Sequence, residues 1–336
     1  MNKILKNKEI LLICPSFFNY EKEIKKGLES LGARVDFFDE RPKNSVITKI
    51  IIRSGFGLLI KKKVDNYYNQ IFSLIRKNKS DTVFVINPET IDVQKIKILR
   101  KLQPDAKFIL YMWDSFKNKE NSRNIVNFFD KKITFDKADS KIYNMQFLPL
   151  FYINLYEKIV CKDSYQYDIC FIGTAHSDRY EIAKKIEQLA KQDNLKMYSF
   201  FYLPSRIMFW VRKVLLRQYK YGNIKDFSFT PLTQNKITHI IENSRVILDI
   251  NHPLQSGLTS RTLESLGAGR KLITTNDNVK GYDFFNKVNI QVLDRNLPIL
   301  DRELFNMNYR NPKKSIYDFY SLNSWLINIF SPGVDK

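Results

Sequence analysis

The residues best suited to binding chemistry lie in the stretch INHPLQSGLTSRTLESLGAGRKLITTN, from Ile250 to Asn276. A strand-like run ends there in a polar turn with Gly257, and a helix-like run follows. The first N–H groups of a helix have no partner within the helix, so a helix N-terminus attracts anions. Gly257 has no side chain to obstruct a ligand, and Arg261 adds a guanidinium that can bond two phosphate oxygens. The turn is therefore suited to a phosphate group.

Glu264 is the acidic residue of that helix-like run. It does not complete a capping box, because the residue three positions before it is Arg261 rather than Ser or Thr. On a helical wheel the core-facing residues are Leu258, Thr262, Leu263 and Leu266. Glu264 falls on another side with Ser260 and Arg261, near the mouth of the turn, where it could accept hydrogen bonds from sugar hydroxyls. A surface ion pair between Arg261 and Glu264 is an equally open interpretation.

A second turn of this kind occurs in CFIGTAHSDRYE, at the carboxyl end of another strand-like run. Open α/β sheets bind ligands at that edge. The candidate ligand-binding residues of this turn are Gly173, Thr174, His176 and Arg179. We expect a helix to begin near Ser177 or Asp178, and the alternative is an ordinary turn that Ser177 caps. His252, beside Pro253, is a further candidate for the same site, although a packed histidine is as common in such a turn.

Asp114 ends the strand-like run AKFILYMWD in the first half of the chain. A carboxylate at that edge could act as a base on a hydroxyl group or position it. Capping of a following helix by Asp114 or Ser115 is an interpretation of equal weight. Asp136 and Asp139, in TFDKADS, are interpreted as turn residues.

Short apolar runs alternate with helix-like segments along the whole chain. The strand-like runs cover residues 9–15, 33–39, 81–87, 106–114, 131–136, 145–150, 167–173, 195–202, 245–251, 271–276 and 288–294. This alternation predicts parallel sheets covered by helices. Because it restarts after a linker at 151–166, we expect two Rossmann-like domains, over 1–155 and 165–312. A C-terminal amphipathic helix, predicted over 316–330 in the remaining segment 313–336, would pack back on the first domain.

Composition narrows the class of protein. The 336 residues carry 55 Lys and Arg against 35 Asp and Glu, a net charge of +20, which favours anionic partners such as nucleic acid, anionic lipid or phosphorylated molecules. The sequence lacks the G-x-G-x-x-G and G-x-x-x-x-G-K-[ST] loops, H-E-x-x-H and any Cys/His cluster with metal spacing. Dehydrogenases, P-loop kinases and metal enzymes therefore lose support, and neither a metal nor a cofactor is expected. No helix-turn-helix, RNA-recognition motif or zinc finger supports the alternative of a basic nucleic-acid-binding protein.

Localisation follows from the same residues. Three cysteines without paired spacing favour a reducing, cytoplasmic setting. The N-terminal apolar run is too short for a signal peptide, which argues against a third alternative, a periplasmic binding protein with two lobes. No segment reaches the roughly 20 apolar residues that span a bilayer.

Two segments suggest a membrane surface as partner. Residues 205–225, SRIMFWVRKVLLRQYKYGNIK, read as a basic amphipathic helix with Trp210 and without an acidic residue. Residues 43–63 have a similar composition. The alternative for each is a helix whose apolar side faces the core and whose basic side is solvated. Together they favour peripheral association with the inner face of the cytoplasmic membrane.

The stretch SGLTSRTLESLGAGRKLITTN resembles the donor-nucleotide motif of GT-B glycosyltransferases, particularly bacterial enzymes of capsule and lipopolysaccharide synthesis, and is similar to the spore-maturation type. The resemblance covers residues 165–295, and the first half only by topology. It implies an α/β GT-B fold, with two Rossmann-like domains facing a central cleft, and metal-independent transfer from a nucleotide sugar to a polysaccharide or lipid-linked glycan.

The resemblance also implies roles for residues. Glu264 would bind the ribose hydroxyls, Arg261 would act on the departing diphosphate, and Asp114 would serve the acceptor in the other domain. By the resemblance Gly257, Leu258 and Thr259 would offer N–H groups to the diphosphate, with Gly173 and Thr174 on the opposite side. Together with the candidates chosen from the turns themselves, the remaining donor-binding residues are Gly173, Thr174, His176, Arg179, His252, Ser256, Gly257, Leu258, Thr259 and Thr262. Many retaining members carry a second Glu eight positions before the first. Ser256 stands there in this chain, so retention, the donor sugar and the linkage stay open.

Overall fold

Residues 3–42, 58–253 and 255–331 are the part of the chain that the computed structural model describes, and its strands form two six-stranded parallel sheets. The strands of the first sheet are β1 (Glu9–Cys14), β2 (Arg34–Asp39), β3 (Thr82–Ile86), β4 (Lys107–Met112), β5 (Lys131–Thr134) and β6 (Gln146–Phe147). Those of the second are β7 (Tyr167–Thr174), β8 (Met197–Tyr202), β9 (Phe227–Ser228), β10 (Ser244–Asp249), β11 (Lys271–Thr274) and β12 (Ile290–Val292). The orders are β2-β1-β3-β4-β5-β6 and β12-β11-β10-β7-β8-β9.

Helices connect most of the strands. The α-helices of the described residues are α1 (Tyr20–Ser30), α2 (Leu58–Ile75), α3 (Val93–Leu102), α4 (Lys137–Ile142), α5 (Asn154–Glu157), α6 (Arg179–Gln192), α7 (Arg206–Trp210), α8 (Gln234–Glu242), α9 (Ser260–Gly267), α10 (Glu303–Asn306), α11 (Lys314–Phe319) and α12 (Leu322–Phe330). The 3₁₀ helices lie at Glu120–Phe128, Ile224–Asp226 and Asp277–Gly281. Strand–helix–strand crossovers of this kind are what parallel pairing requires. The predicted α/β class is confirmed.

The chain divides into two units. The first comprises Met1–Pro149 with Leu322–Lys336, and the second is Leu150–Ser321. The central strands of each sheet are almost entirely apolar and buried, as in the run Val83–Ile86, because helices cover both faces of a parallel sheet.

Helix α12 belongs to the first unit. Its Trp325 is buried, with its ring 4.7 Å from that of Tyr111 and 6.1 Å from that of Phe84. Gly27 of α1 permits the close approach of this helix, since a Cβ there would lie 2.5 Å from a methyl carbon of Leu326. The last described helix therefore completes the cover of the first sheet.

The single helix predicted over 316–330 is wrong: the structure has α11 and α12, separated at Tyr320 and Ser321. The carbonyl of Tyr320 accepts a hydrogen bond from the N–H of Tyr152 at 2.9 Å, and its hydroxyl donates to Asp283 at 2.6 Å. These tertiary bonds hold the residue outside the helical ladder. The two-residue strand β9 was also missed, because polar residues separate its aromatic residues, whereas the equally short β6 lies in the more apolar run 145–150.

The segment 205–225 is not one continuous helix. Helix α7 passes into a π-helical turn over Val211–Leu215, and the chain then turns through Arg217 and Tyr219, whose φ angles are 52° and 57°. Residues with left-handed φ cannot continue a right-handed helix. Within the described residues no helix is long and apolar enough to cross a membrane. Most of the other basic segment, residues 43–57, lies outside the described residues.

A buried polar cluster lies beyond the ends of β2 and β3 in the first unit. Glu40 is fully buried, and its Oε1 accepts hydrogen bonds from the N–H of Glu89 at 2.7 Å and the hydroxyl of Thr90 at 2.8 Å. Burial raises the pKa of Glu40 from 4.5 to about 7, against the opposing effect of these bonds. Glu89 in turn pairs with Lys119 at 2.5 Å and Arg41 at 3.7 Å. A carboxyl group that is easily protonated near neutral pH is thus built into this edge of the unit.

Replacing Glu40 by Gln should flatten the pH dependence of stability. Between pH 4.5 and about 7 the folded protein holds the Glu40 proton more tightly than the unfolded chain, so the free energy of unfolding falls as pH rises through that window. The loss is about 3 kcal/mol when complete. Denaturant unfolding, followed by the fluorescence of buried Trp325 at about pH 5 and about pH 8, measures it.

The control for this experiment is Glu120→Gln, at an exposed position of the same unit. It should keep the wild-type slope. An unchanged slope in Glu40→Gln would show that Glu40 titrates normally in the folded protein.

Candidate functional site

The order of the second sheet creates a natural binding crevice. From β7 the chain proceeds to β8 and β9 on one side, and from β10 it proceeds to β11 and β12 on the other. Strands β7 and β10 pair with each other, so the direction of winding reverses between them. Open α/β sheets bind ligands at such a point, beyond the carboxyl ends of the strands. Both turns that the sequence analysis selected emerge at this edge.

Asp249 organises the turn that follows β10. It is buried as the last residue of that strand, and one carboxylate oxygen accepts hydrogen bonds from the hydroxyls of Thr259 and Thr262, each at 2.8 Å. The hydroxyl of Thr274, at the end of β11, lies 3.4 Å from the same oxygen. Thr259 is also the N-cap of α9 and accepts from the N–H of Thr262 at 3.3 Å. One carboxylate therefore fixes the first turn of α9 against two strand ends.

The loop between β10 and α9 is held from the side of β11. The side-chain amide of Asn276 donates to the carbonyl of Gly257 at 3.1 Å, and that of Asn278 donates to the carbonyl of Ser256 at 3.1 Å. Gly257 and Leu258 are buried, and Ser256 is half-buried. These two bonds tie the backbone of Ser256 and Gly257 to the segment that follows β11.

Glu264 and Arg261 form an ion pair one turn apart on α9. The pair does not lie at the surface, since the two side chains keep only 5% and 17% of their exposure. The sequence analysis placed Glu264 on a side away from the core. In the structure every residue from Thr262 to Gly267 is buried, because neighbouring elements enclose α9 on all sides.

Tyr156 of helix α5 is one of the residues that bury Glu264. Burial raises the pKa of the Tyr156 hydroxyl well above its usual value, and the negative charge of Glu264 raises it further. The same hydroxyl accepts a hydrogen bond from the side-chain amide of Gln234 at 2.9 Å. Glu264 therefore lies below the surface with Arg261 and the Tyr156 hydroxyl as polar neighbours.

The small residues after Glu264 allow this close packing. A Cβ at Gly267 would lie 2.5 Å from the ring of Tyr152, so only glycine fits there. Gly269 has φ of 58°, the left-handed conformation that commonly ends a helix. The segment LGAG thus ends α9 and brings it against the chain around Tyr152.

Arg179 connects the two strand ends. Its Nε donates to the carbonyl of Ile250 at 2.6 Å, and its Nη1 lies 3.4 Å from the carbonyl of Thr174. Burial lowers the pKa of Arg179 to about 10; Asp249 opposes this change, while the charges of Arg261 and Arg295 add to it. Arg179 is thus within electrostatic range of Arg261 and Arg295, and the carboxylates of Asp249, Glu264 and Asp178 balance the three positive charges.

Arg295, which follows β12, was missed by the sequence analysis. It binds both carboxylate oxygens of Asp178 at 2.7 Å, the carbonyl of Asn251 at 2.8 Å and the hydroxyl of Thr275 at 3.1 Å. It joins the turn after β7 to the segments after β10 and β11. No spacing in the sequence marks it, since its partners lie far away along the chain.

The turn after β7 departs from the expected cap. Gly173 and Thr174 are the last residues of β7 itself, and α6 begins at Arg179. Ser177 does not cap α6: it has φ of 50°, and its hydroxyl donates to the carbonyl of His176 at 2.7 Å. Asp178 precedes the helix and is held by Arg295.

Two histidines from the two turns lie next to each other. The rings of His176 and His252 have centroids 5.5 Å apart, and Nδ1 of His176 lies 3.1 Å from the hydroxyl of Ser177. The sequence analysis selected each histidine separately, and the fold brings them together from different turns. Imidazole nitrogens can donate to phosphate oxygens.

Asp114 lies in the first unit, just after β4. Its carboxylate accepts from the N–H of Ser115 at 3.0 Å and from the side chain of Asn118 at 2.9 Å. A turn rather than an α-helix follows, so the interpretation as a helix cap is wrong. Asp136, in contrast, is the N-cap of α4 and accepts from Ala138 and Asp139. Among the described residues no group of three or more His, Cys, Asp or Glu side chains could hold a metal ion.

Comparison by sequence finds no relative: no protein-family description matches the chain, and no curated protein matches it. Comparison of structures does find relatives. A glycosyltransferase from Rickettsia africae has 16% identity and a TM-score of 0.55, covering 95% of this chain and 96% of its own. HepE from Anabaena, in complex with UDP-glucose, has 10% identity and a TM-score of 0.55, covering 96% and 98%.

A third similar structure is the UDP-GlcNAc 2-epimerase of Methanocaldococcus jannaschii, in complex with UDP-GlcNAc and UDP. It has 11% identity and a TM-score of 0.53, and the match covers 93% of this chain and 98% of that one. Identities this low show the fold alone. The chain has the two-domain α/β fold of the GT-B class.

Proposed function

We propose that the protein is a glycosyltransferase. It binds a nucleoside-diphosphate sugar at the edge of the second sheet where β7 and β10 end and the direction of winding reverses. The observation that carries the proposal is that Arg179 bonds to the carbonyls that follow β10 and end β7, while Arg261 lies in the first turn of α9, the helix that follows β10. Both the guanidinium groups and the N-terminal N–H groups attract a diphosphate. Fold relatives with bound UDP-sugars support this choice of ligand.

We infer the position of the donor from the chemical groups that line this edge of the sheet. Its diphosphate lies at the loop Gly257–Thr259, flanked by His176 and His252, with Gly173 and Thr174 of β7 on the opposite side. Its ribose reaches Glu264. A carboxylate offers about four lone-pair positions, so Glu264 can neutralise Arg261 and still accept from a ribose hydroxyl.

The mechanism we infer is electrostatic. Charge develops on the diphosphate as its bond to the anomeric carbon breaks, and fixed positive groups stabilise that charge without reorganising. Arg261, held by Glu264, is the group best placed for this role. In the first unit, Asp114 is the proposed base that accepts the proton of the attacking hydroxyl.

The acceptor we propose is a polysaccharide or lipid-linked glycan of bacterial surface polysaccharide synthesis. The resemblance of residues 250–276 to enzymes of capsule and lipopolysaccharide synthesis supports it. The first experiment is a thermal-shift screen with UDP, GDP, CMP, dTDP and their sugars, because a ligand that binds the folded state raises its stability. Stabilisation by none of them, together with binding of nucleic acid that falls steeply with salt, would overturn the proposal.

Glu264→Ala should remove discrimination at the ribose. We expect the wild type to bind the selected nucleotide at least about tenfold more tightly than its 2′-deoxy form, because a buried carboxylate loses a hydrogen bond to the missing hydroxyl. In Glu264→Ala, which has no side-chain acceptor, that ratio should approach one, measured by calorimetry. A ratio equal to that of the wild type would remove Glu264 from the ribose site.

Arg261→Gln should act on the phosphates instead. We expect the nucleoside diphosphate to bind about tenfold or more weakly, while the affinity of the free nucleoside stays unchanged, since charge-assisted bonds contribute about 1.5–3 kcal/mol. Lys236→Gln, at an exposed position of the same unit, is the matched control. Equal losses for nucleoside and diphosphate would contradict the assignment.

Asp249→Asn tests whether the hydrogen bonds to Asp249 hold the candidate site in position. The amide oxygen of asparagine can take the place of the carboxylate oxygen that the three threonines share, but without its charge it is a weaker acceptor, so we expect the free energy of unfolding to drop by about 1–3 kcal/mol. Nucleotide affinity should fall as well. Thr259→Ser keeps both the hydroxyl and the cap and should stay near the wild type in both measurements, whereas Thr259→Val should follow Asp249→Asn.

Asp114→Asn should separate catalysis from donor binding. If Asp114 is the base, transfer slows by about 10²–10⁴-fold, and the donor dissociation constant is unchanged. Asparagine keeps an oxygen that accepts from Ser115 and Asn118, so the local turn is preserved. A transfer rate equal to that of the wild type would show that another group takes the proton.

A further inference from the structure

The surface of the second unit carries an unusual concentration of exposed apolar side chains. We call Ile207, Trp210, Val211, Val214, Leu215 and Leu216 the apolar patch. Their exposed fractions range from 38% for Val211 to 76% for Ile207. Positions 207, 210, 211, 214 and 215 have the spacing that places side chains on one side of a helix. A soluble surface rarely exposes so many large apolar groups together unless they bind something.

Buried aromatic residues fix the patch in place. Phe209 and Tyr219, on the two arms of this segment, are buried and stack with their rings 6.0 Å apart. Both contact Phe227 of β9, at 5.1 and 4.8 Å between ring centroids. The segment is therefore anchored by one set of apolar side chains while another set is left facing outward. The core-facing alternative of the sequence analysis is wrong for the patch.

Exposed positive charges flank the patch along the chain. We call the exposed residues Arg206, Arg217, Lys220 and Lys225 the basic rim. Residues 205–225 contain no Asp or Glu. Arg212 and Lys213 have a different role, since they donate to the carbonyls of Ala175 and Gly222 at 2.8 and 2.7 Å.

We propose that the apolar patch and the basic rim dock the second unit onto the surface of an anionic lipid bilayer. Apolar side chains flanked by Lys and Arg are the composition of segments that lie in the membrane interface. Trp210 suits the same depth, because its ring is apolar and its N–H remains hydrated. Protein–protein interfaces, in contrast, are depleted of lysine, and the basic rim calls for a negatively charged partner.

The docking segment is bonded to the candidate site. Ala175, whose carbonyl accepts from Arg212 and from the hydroxyl of Tyr219, stands between Thr174 of β7 and His176. Docking therefore holds the turn after β7 near the lipid surface. If the proposed function is right, a lipid-linked acceptor is delivered to that surface, but the docking itself does not depend on any sugar chemistry.

The test is vesicle sedimentation of the full chain without nucleotide. We expect binding to vesicles in which about a third of the phosphatidylcholine is replaced by phosphatidylglycerol, at least about tenfold weaker binding to pure phosphatidylcholine, and weakening by salt, because each basic residue near an anionic surface contributes about 1 kcal/mol. The fluorescence of Trp210 should shift to shorter wavelength on binding, and Trp210→Phe should remove that shift.

Matched variants locate the docking surface. The triple variant Ile207→Ser, Leu215→Ser, Leu216→Ser should lose at least about tenfold in partitioning, since each buried apolar side chain contributes. Leu297→Ser with Ile299→Ser, at positions of similar exposure in the same unit, should bind as the wild type does. Lys220→Glu with Lys225→Glu should weaken binding to the anionic vesicles, and Lys236→Glu with Lys287→Glu should not.

Three outcomes would overturn the proposal: no preference of the wild type for anionic vesicles, equal loss in the triple variant and its control, or a dimer in light scattering that the triple variant converts to monomer. A dimer of that kind would show that the apolar patch binds a second copy of this chain. Donor binding is measured separately by calorimetry, so failure of docking and failure of the proposed function give different results.

Discussion

The candidate site depends on the buried carboxylate of Asp249. Burial of a charge is costly unless hydrogen bonds compensate, and three threonine hydroxyls from α9 and β11 converge on this group. Because Thr259 donates to Asp249 while it caps α9, the position of the helix N-terminus is coupled to the end of β10. The hydrogen bonds of buried Asp249 thus fix the turn between β10 and α9, which is the turn proposed to bind an anion.

Repulsion among cations is the second constraint. Arg179, Arg261 and Arg295 share one region, and each is held by bonds that fix its direction: Arg179 to strand-end carbonyls, Arg261 to Glu264, and Arg295 to Asp178. Such an arrangement is stable because Asp249, Glu264 and Asp178 each supply a carboxylate near one guanidinium group. A diphosphate would therefore bind through the directed N–H groups rather than through an excess of positive charge. A carboxylate such as Glu264 can belong to a phosphate site because it orients and partly neutralises a guanidinium group.

In the segment 205–225 of the second unit, some aromatic and apolar side chains are buried and others are exposed. Phe209 and Tyr219 pack into the core, whereas Trp210, the next residue after Phe209, and Leu215 remain exposed. Left-handed φ angles at Arg217 and Tyr219 end the helical turns and return the chain to the core. The polypeptide thus forms a short projection with an apolar exterior, attached by Arg212 to the turn after β7.

The sequence by itself determined the α/β class, nearly every strand and the two turns of the site, because continuous apolar runs and helix starts are local patterns. It also selected Glu264, Arg261 and the two histidines as chemical groups. Only the tertiary structure decided that Glu264 is enclosed, that His176 meets His252, that Arg295 and Asp249 hold the site, and that the apolar side of 207–216 faces outward. Those outcomes depend on contacts between residues far apart along the chain, such as Arg295 with Asp178, and on which faces neighbouring elements cover. Local periodicity carries no information about either.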